Sequence, residues 1–173
     1  MKYVLASLLL TTALLGCRKE EEAPCTRTPG NTTASTTEEA MVLSYLSVNG
    51  ITNALELENS GMYYVIDAPG NNTKPGMCTN VNVRYTGKFA DNRVFDPAPG
   101  SGLTVNTANF TLGDLIEAWK RALPLIGEGG KLRLFVPPSL GYGANGVFDS
   151  RTGLFIIPSN AMLVFELELV RTF

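Results

Sequence analysis

Residues 115–136 read LIEAWKRALPLIGEGGKLRLFV, and a change of period inside this stretch decides the fold. Leu115, Ile116, Trp119 and Leu123 recur at helical spacing, which predicts a helix laying one apolar face on a neighbour. From Lys131 to Val136 the period drops to two, with Leu132, Leu134 and Val136 on one side, as in a half-buried strand. The same alternation extends outward. Val81, Val83 and Tyr85 alternate with Asn82, Arg84 and Thr86, and Leu163, Phe165, Leu167 and Leu169 mark the core face of a long final strand. Asp91-Asn92 reads as a hairpin turn into Val94 and Phe95, and Met62 to Asp67 is a short apolar run closed by Pro69-Gly70. One helix among strands predicts an α+β domain over residues 61–173, an antiparallel sheet wrapped around a single α-helix.

Composition narrows the chemistry. The 173 residues are 45% hydrophobic and 17% charged, enough apolar material for a sizeable core. The formal net charge of −2 carries no nucleic-acid footprint. The chain has no histidine, which removes the commonest general base, the Ser-His and Cys-His nucleophile pairs and every imidazole metal ligand. No metal or cofactor is implied.

The N-terminal part is read as three segments. Residues 1–16 combine Lys2 with an apolar run from Tyr3 to Leu15 that is short for a bilayer span, the pattern of a secretory signal peptide. Leu14-Leu15-Gly16-Cys17 resembles the bacterial lipobox, which implies lipidation of Cys17, an exported chain and a membrane anchor without a transmembrane helix. The expected location is the outer membrane, at its periplasmic or surface face. The charged tract from Arg18 to Glu22 resembles the acidic surface-display signal of some Bacteroidetes lipoproteins; a solvated linker is the alternative. Residues 17–36, rich in Thr, Pro, Asn and Gly after Cys25, are expected to form a flexible linker. Residues 37–60 are expected to hold a helix and extension: Thr36 and Glu39 have capping-box spacing, Met41, Val42, Tyr45 and Leu46 form an apolar stripe, and Gly50 ends it. Export favours disulfides, so with Cys17 lipidated, Cys25 and Cys78 are candidates for a bridge that would pin the stalk to the domain.

The ordered set Val81-Asn-Val-Arg-Tyr-Thr-Gly87, Val94-Phe-Asp96, Phe110-Thr-Leu112, Leu115-Ile116, Trp119, Gly129 to Pro138, Gly141-Tyr-Gly143, Ile156-Ile-Pro158 and Leu163-Val-Phe165 resembles the FKBP family of peptidyl-prolyl cis/trans isomerases. The resemblance covers about 110 residues in collinear order. It implies acceleration of X-Pro isomerisation in proline-containing polypeptides by a pocket that grips the prolyl ring. In that reading Trp119 is the pocket floor and Tyr85, Phe95 and Phe165 its walls. Tyr142 supplies a hydroxyl to the substrate backbone, and Asp96 lines the carbonyl region. Leu115 and Ile116 meet the substrate chain through their backbone, and Ile156 and Ile157 close over the site.

Four departures from the family pattern stand out. Ala118 replaces the glycine before the tryptophan, and Ser159 replaces a second proline after Ile-Ile. The rim segment from Asn145 to Phe155 is long, and no basic residue lies between Asp96 and Phe110. The last two leave a second reading open, a non-catalytic prolyl-binding chaperone lipoprotein.

Overall fold

The computed structural model describes residues 24–97 and 102–173. The signal peptide, Cys17 and the tract at 18–22 lie outside the described residues. The elements run α1 (Thr36–Val48), β1 (Leu55–Glu56), β2 (Tyr63–Ala68), β3 (Asn80–Phe89), β4 (Val94–Asp96), β5 (Asn106–Thr111), α2 (Glu117–Ala122), β6 (Lys131–Val136), β7 (Val147–Asp149), β8 (Leu154–Ile157) and β9 (Leu163–Thr172).

Seven strands form one antiparallel sheet in the order β1-β2-β6-β9-β3-β4, with β5 beside β4 on the same edge of β3. Strand β3 is the hub: it pairs along its length with β9, through Asn80 to Tyr85 with β5, and at Gly87 and Lys88 with β4. Period-two alternation turns Val81, Val83, Tyr85, Leu132, Leu134, Val136, Leu163, Phe165 and Leu167 to one face, where they bury against α2 and the turns around it. The opposite face is apolar only where α1 covers it. There Val42 and Leu46, one helical turn apart, pack on Val65, Phe135, Met162 and Val164. Beyond that cover the same face carries cross-strand ion pairs, Arg84 with Glu168, Lys88 with Glu166 and Arg133 with Asp67.

Two helices depart in detail from the sequence expectation. The capping box of α1 sits one residue earlier, at Ser35 and Glu38: the Ser35 hydroxyl accepts from the Glu38 amide, and the Glu38 carboxylate accepts from the Ser35 amide at 2.9 Å. Glu39 instead accepts from the Tyr63 hydroxyl at 3.0 Å, and Met41 leaves the buried stripe, 40% exposed. The central helix is shorter than its apolar spacing suggested. Leu115 and Ile116 precede it in extended conformation, because a 3-10 turn at Leu112–Asp114 turns the chain before α2 starts.

The N-terminal segment before α1 has no regular structure but carries attachments to the domain. Cys25 and Cys78 are bridged, with Cα atoms 5.8 Å apart. Arg27 pairs with Asp114 at 2.5 Å, the Thr32 carbonyl accepts from Arg121 at 2.8 Å, and the Ala34 amide donates to the Ser60 carbonyl. Arg121 is itself nearly buried and reaches Glu58 at 3.0 Å.

Candidate functional site

A cleft of about 130 Å³ opens between α2 and the end of the sheet, lined by Tyr85, Phe95, Asp96, Phe110, Leu115, Ile116, Trp119, Tyr142 and Phe165. Drug-sized sites span roughly 300–1,000 Å³, so this one suits a single small ring. Trp119, in the first turn of α2, is 4% exposed and forms the bottom. Three rings stand edge-on to it: Tyr85 at 5.0 Å between centroids, Phe165 at 5.3 Å and Phe110 at 6.0 Å, with interplanar angles of 80° to 89°. Edge-to-face contacts of this kind fix ring orientation beyond what area burial alone requires. Phe95 from β4 meets Phe165 edge-on at 5.9 Å and extends the wall outward.

Gly87 makes room for that wall. A Cβ there would lie 2.6 Å from the Phe95 ring and 3.1 Å from the Phe165 ring, so a side chain at 87 would displace both. This explains why a strand rich in β-branched and aromatic residues carries a glycine where β3 pairs with β4.

The polar side of the cleft is a three-residue network. The Tyr85 hydroxyl donates to Asp96 at 2.7 Å, and Asn106 donates its side-chain amide to Asp96 at 2.9 Å and to the Tyr85 oxygen at 3.2 Å. Burial pushes the Tyr85 phenol up, and the hydrogen bond and charge of Asp96 raise it further. Burial also raises Tyr142, with the Asp96 charge adding to it. Both phenols therefore remain protonated donors through the neutral range. Tyr142, 37% exposed at the mouth, faces the opening.

Eight of the ten residues read from the sequence converge on this cleft: Tyr85, Phe95, Asp96, Leu115, Ile116, Trp119, Tyr142 and Phe165. The other two do not line it. Ile156 is 48% exposed and borders a neighbouring groove, whereas Ile157 is 3% exposed and packs in the core. The alternation of β8 sends the two side chains to opposite faces. Phe110 and Asn106 were missed as site residues. Phe110 stood in a quoted motif, and Asn106 is brought to the site by its register opposite Tyr85. Among the described residues no cluster of His, Cys, Asp or Glu could hold a metal ion, and no helix is long and apolar enough to cross a membrane.

A single short helix laid across a curved antiparallel sheet, with a tryptophan at the foot of an aromatic cleft, is the architecture of FKBP-type prolyl isomerases. Residues 71–170 match the model of the FKBP-type peptidyl-prolyl cis-trans isomerase family, and the chain belongs to that family. It is 32% identical over 126 residues to the FKBP-type peptidyl-prolyl cis-trans isomerase FkpA of Aeromonas hydrophila, covering 73% of this chain and 43% of that protein. It is 33% identical over 128 residues to the FKBP-type 22 kDa peptidyl-prolyl cis-trans isomerase of Escherichia coli, covering 74% and 58%, and 32% identical over 127 residues to the outer membrane protein MIP of Legionella longbeachae, covering 73% and 51%. The chain thus spans about half the length of the curated relatives it matches. Among solved structures, FkpA of Escherichia coli superposes with a TM-score of 0.62 at 28% identity, over 79% of this chain and 59% of that one. A peptidyl-prolyl cis-trans isomerase of Pseudomonas syringae gives 0.61 at 28%, over 83% and 98%.

Proposed function

We propose that this chain is a peptidyl-prolyl cis/trans isomerase acting on X-Pro bonds of exported polypeptides, with the aromatic cleft as its active site. The observation that carries the reading is the convergence of Tyr85, Phe95, Phe110 and Phe165 around Trp119, beside a hydrogen-bonded carboxylate, in a cleft sized for one small ring.

The chemistry asks little of such a site. Rotation about the peptide bond crosses about 18–20 kcal/mol because resonance is lost at the half-turn, and no bond is broken. Each tenfold acceleration needs about 1.4 kcal/mol of preferential binding to the twisted form. A cleft walled by aromatic rings holds the pyrrolidine ring while removing the water that stabilises the planar, charge-separated amide. Tyr142 at the mouth donates to the substrate backbone, and Asp96 fixes the electrostatics beside the carbonyl. Leu115 and Ile116 are extended; the Leu115 amide closes the preceding turn and the Ile116 carbonyl caps α2, which leaves the Leu115 carbonyl and the Ile116 amide to meet an extended chain. Neither a histidine nor a metal enters this scheme.

The location follows from the sequence. Cys17, in its lipobox-like context, is read as the lipidated first residue of the mature chain, holding the domain at the outer membrane on its periplasmic or surface face, in a Bacteroidetes-like lipoprotein. A relative named as an outer membrane protein supports export. Residues 61–173 form the isomerase domain, with 37–60 as an N-terminal extension packed on it. The Cys25–Cys78 bridge fits an oxidising compartment.

Exchange NMR on an X-Pro peptide tests the function directly. Wild type is expected to accelerate isomerisation, and Phe95→Ala and Tyr142→Phe to lower kcat/KM by about tenfold or more while remaining folded. A folded wild-type domain that accelerates nothing would sink the enzymatic reading and leave prolyl binding as the role of the cleft.

A further inference from the structure

A second, larger concavity of about 830 Å³ lies directly outside the cleft, on the other side of Phe95. Its floor comes from the β3–β4 hairpin, through Phe89, Val94 and Phe95. Its far wall comes from the β7–β8 hairpin, through Leu154, Phe155 and Ile156. That hairpin is the long rim segment of the sequence. It pairs Phe148 with Phe155 and Asp149 with Leu154, and its two rings meet edge-on at 5.2 Å. The hairpin leaves Leu154 68%, Phe155 52% and Ile156 48% exposed, and Val94 across the groove is 38% exposed. Large apolar side chains held this open by a paired, two-stranded scaffold form a surface for a partner.

Charge and continuity say which partner. Arg93 and Arg151 edge the groove, but each is paired with an aspartate two residues away in its own turn: Arg93 with Asp91 at 2.7 Å and Arg151 with Asp149 at 3.3 Å. Arg93 also stacks over the Phe89 ring at 5.4 Å. Each arginine is balanced by its own aspartate, so the groove edge carries no net charge to draw an acidic ligand. The groove and the cleft share Phe95 as a common wall, so a chain whose proline occupies the cleft is led past that ring into the groove.

We infer that this groove binds the same polypeptide substrate at a second point, taking a large apolar side chain two or three residues from the proline. That spacing follows from reach, since an extended chain advances roughly 3.3 Å per residue and must clear one aromatic ring. The inference rests on the cleft being the prolyl site. It makes the protein selective for prolines in apolar stretches, the segments an unfolded polypeptide exposes and a folded one buries.

The test uses three peptides with the same residue before the proline: one carries leucine two and three residues away on both sides, a second carries serine there, and a third ends one residue from the proline. Wild type is expected to process the leucine peptide with kcat/KM about tenfold above the serine peptide. The double variant Leu154→Ser, Phe155→Ser should lose that preference while processing the shortest peptide as wild type does. Both side chains are largely exposed, and a thermal melt confirms that the variant folds. Equal kcat/KM for the leucine and serine peptides in wild type, or a preference that survives the double substitution, overturns the inference. If wild type turns over none of the three, the isomerase reading fails separately. Peptide affinities, read from the fluorescence of Trp119, the only tryptophan in the chain, then decide the groove by the same comparison.

Discussion

Asp96 is held by two donors, Tyr85 and Asn106, and both are neutral. An amide fixes the carboxylate without cancelling its charge, so the site keeps a negative edge that a guanidinium would have offset. Asn106→Leu removes one donor from a half-buried carboxylate at a cost of about 1–3 kcal/mol. The expected outcome is a lower denaturant midpoint together with reduced kcat/KM, and Asn106→Gln should not restore either, because its longer side chain shifts the amide. Unchanged kcat/KM in Asn106→Leu would show that the network is structural only. The aromatic residues of the site were legible because each has a fixed place in a collinear pattern. Asn106 was not, since a search for a basic residue after Asp96 passes over an asparagine. Its place opposite Tyr85 depends on a strand register that pattern alone does not fix.

At the scale of elements, strands were easier to read than helix ends. Strand β6 spans the six residues that its alternation marked, because period two persists wherever one face is buried and the other wet. Helix caps are decided by single hydrogen bonds, and Ser35-Thr36-Thr37 offers several hydroxyls at neighbouring positions. Ser35 takes the cap because its partner Glu38 has a second contact to satisfy: its other oxygen accepts from the Ser139 amide at 2.9 Å, joining α1 to the turn after β6. Burial raises the Glu38 carboxyl, but the donors at Ser35 and Ser139 outweigh it and hold the group below the usual carboxylate range. A carboxyl depressed in the folded state adds stability above its unfolded pKa, and that stability is lost as pH falls through the folded value. Wild type should therefore lose stability on acidification below about pH 4.5 more steeply than Glu38→Gln, measured by urea unfolding at stepped pH. Equal slopes would remove Glu38 from the acid response.

For the whole molecule, the segment before α1 is the part where composition misleads most. A stretch of Thr, Pro, Asn and Gly reads as free linker, yet from Cys25 onward it is held by the bridge to Cys78, by Arg27 to Asp114 and by Thr32 to Arg121. The bridge is the one attachment the cysteine count anticipates; the other two partners lie 87 and 89 residues away and are not visible along the chain. Closing the 53-residue loop of the bridge should stabilise the domain by roughly 4 kcal/mol in the chain-entropy model. Cys25→Ser with Cys78→Ser, or reduction by dithiothreitol, is expected to lower the unfolding free energy by about that amount while leaving the cleft residues in place. Stability that does not change on reduction would mean that the bridge does not form in solution.

The same bridge also sets the path of mechanical load. A pull applied at residue 24 enters the domain at Cys78, two residues before β3, and bypasses α1, β1 and β2. Tension then runs into the hub of the sheet, whose neighbours on both sides must shear together before it yields. The 53-residue loop stays slack until the sulfurs part, hiding roughly 180 Å of contour length at about 3.4 Å per residue. A domain tugged from its N-terminal side would keep its aromatic cleft shaped under loads that would first strip the leading helix from a reduced one.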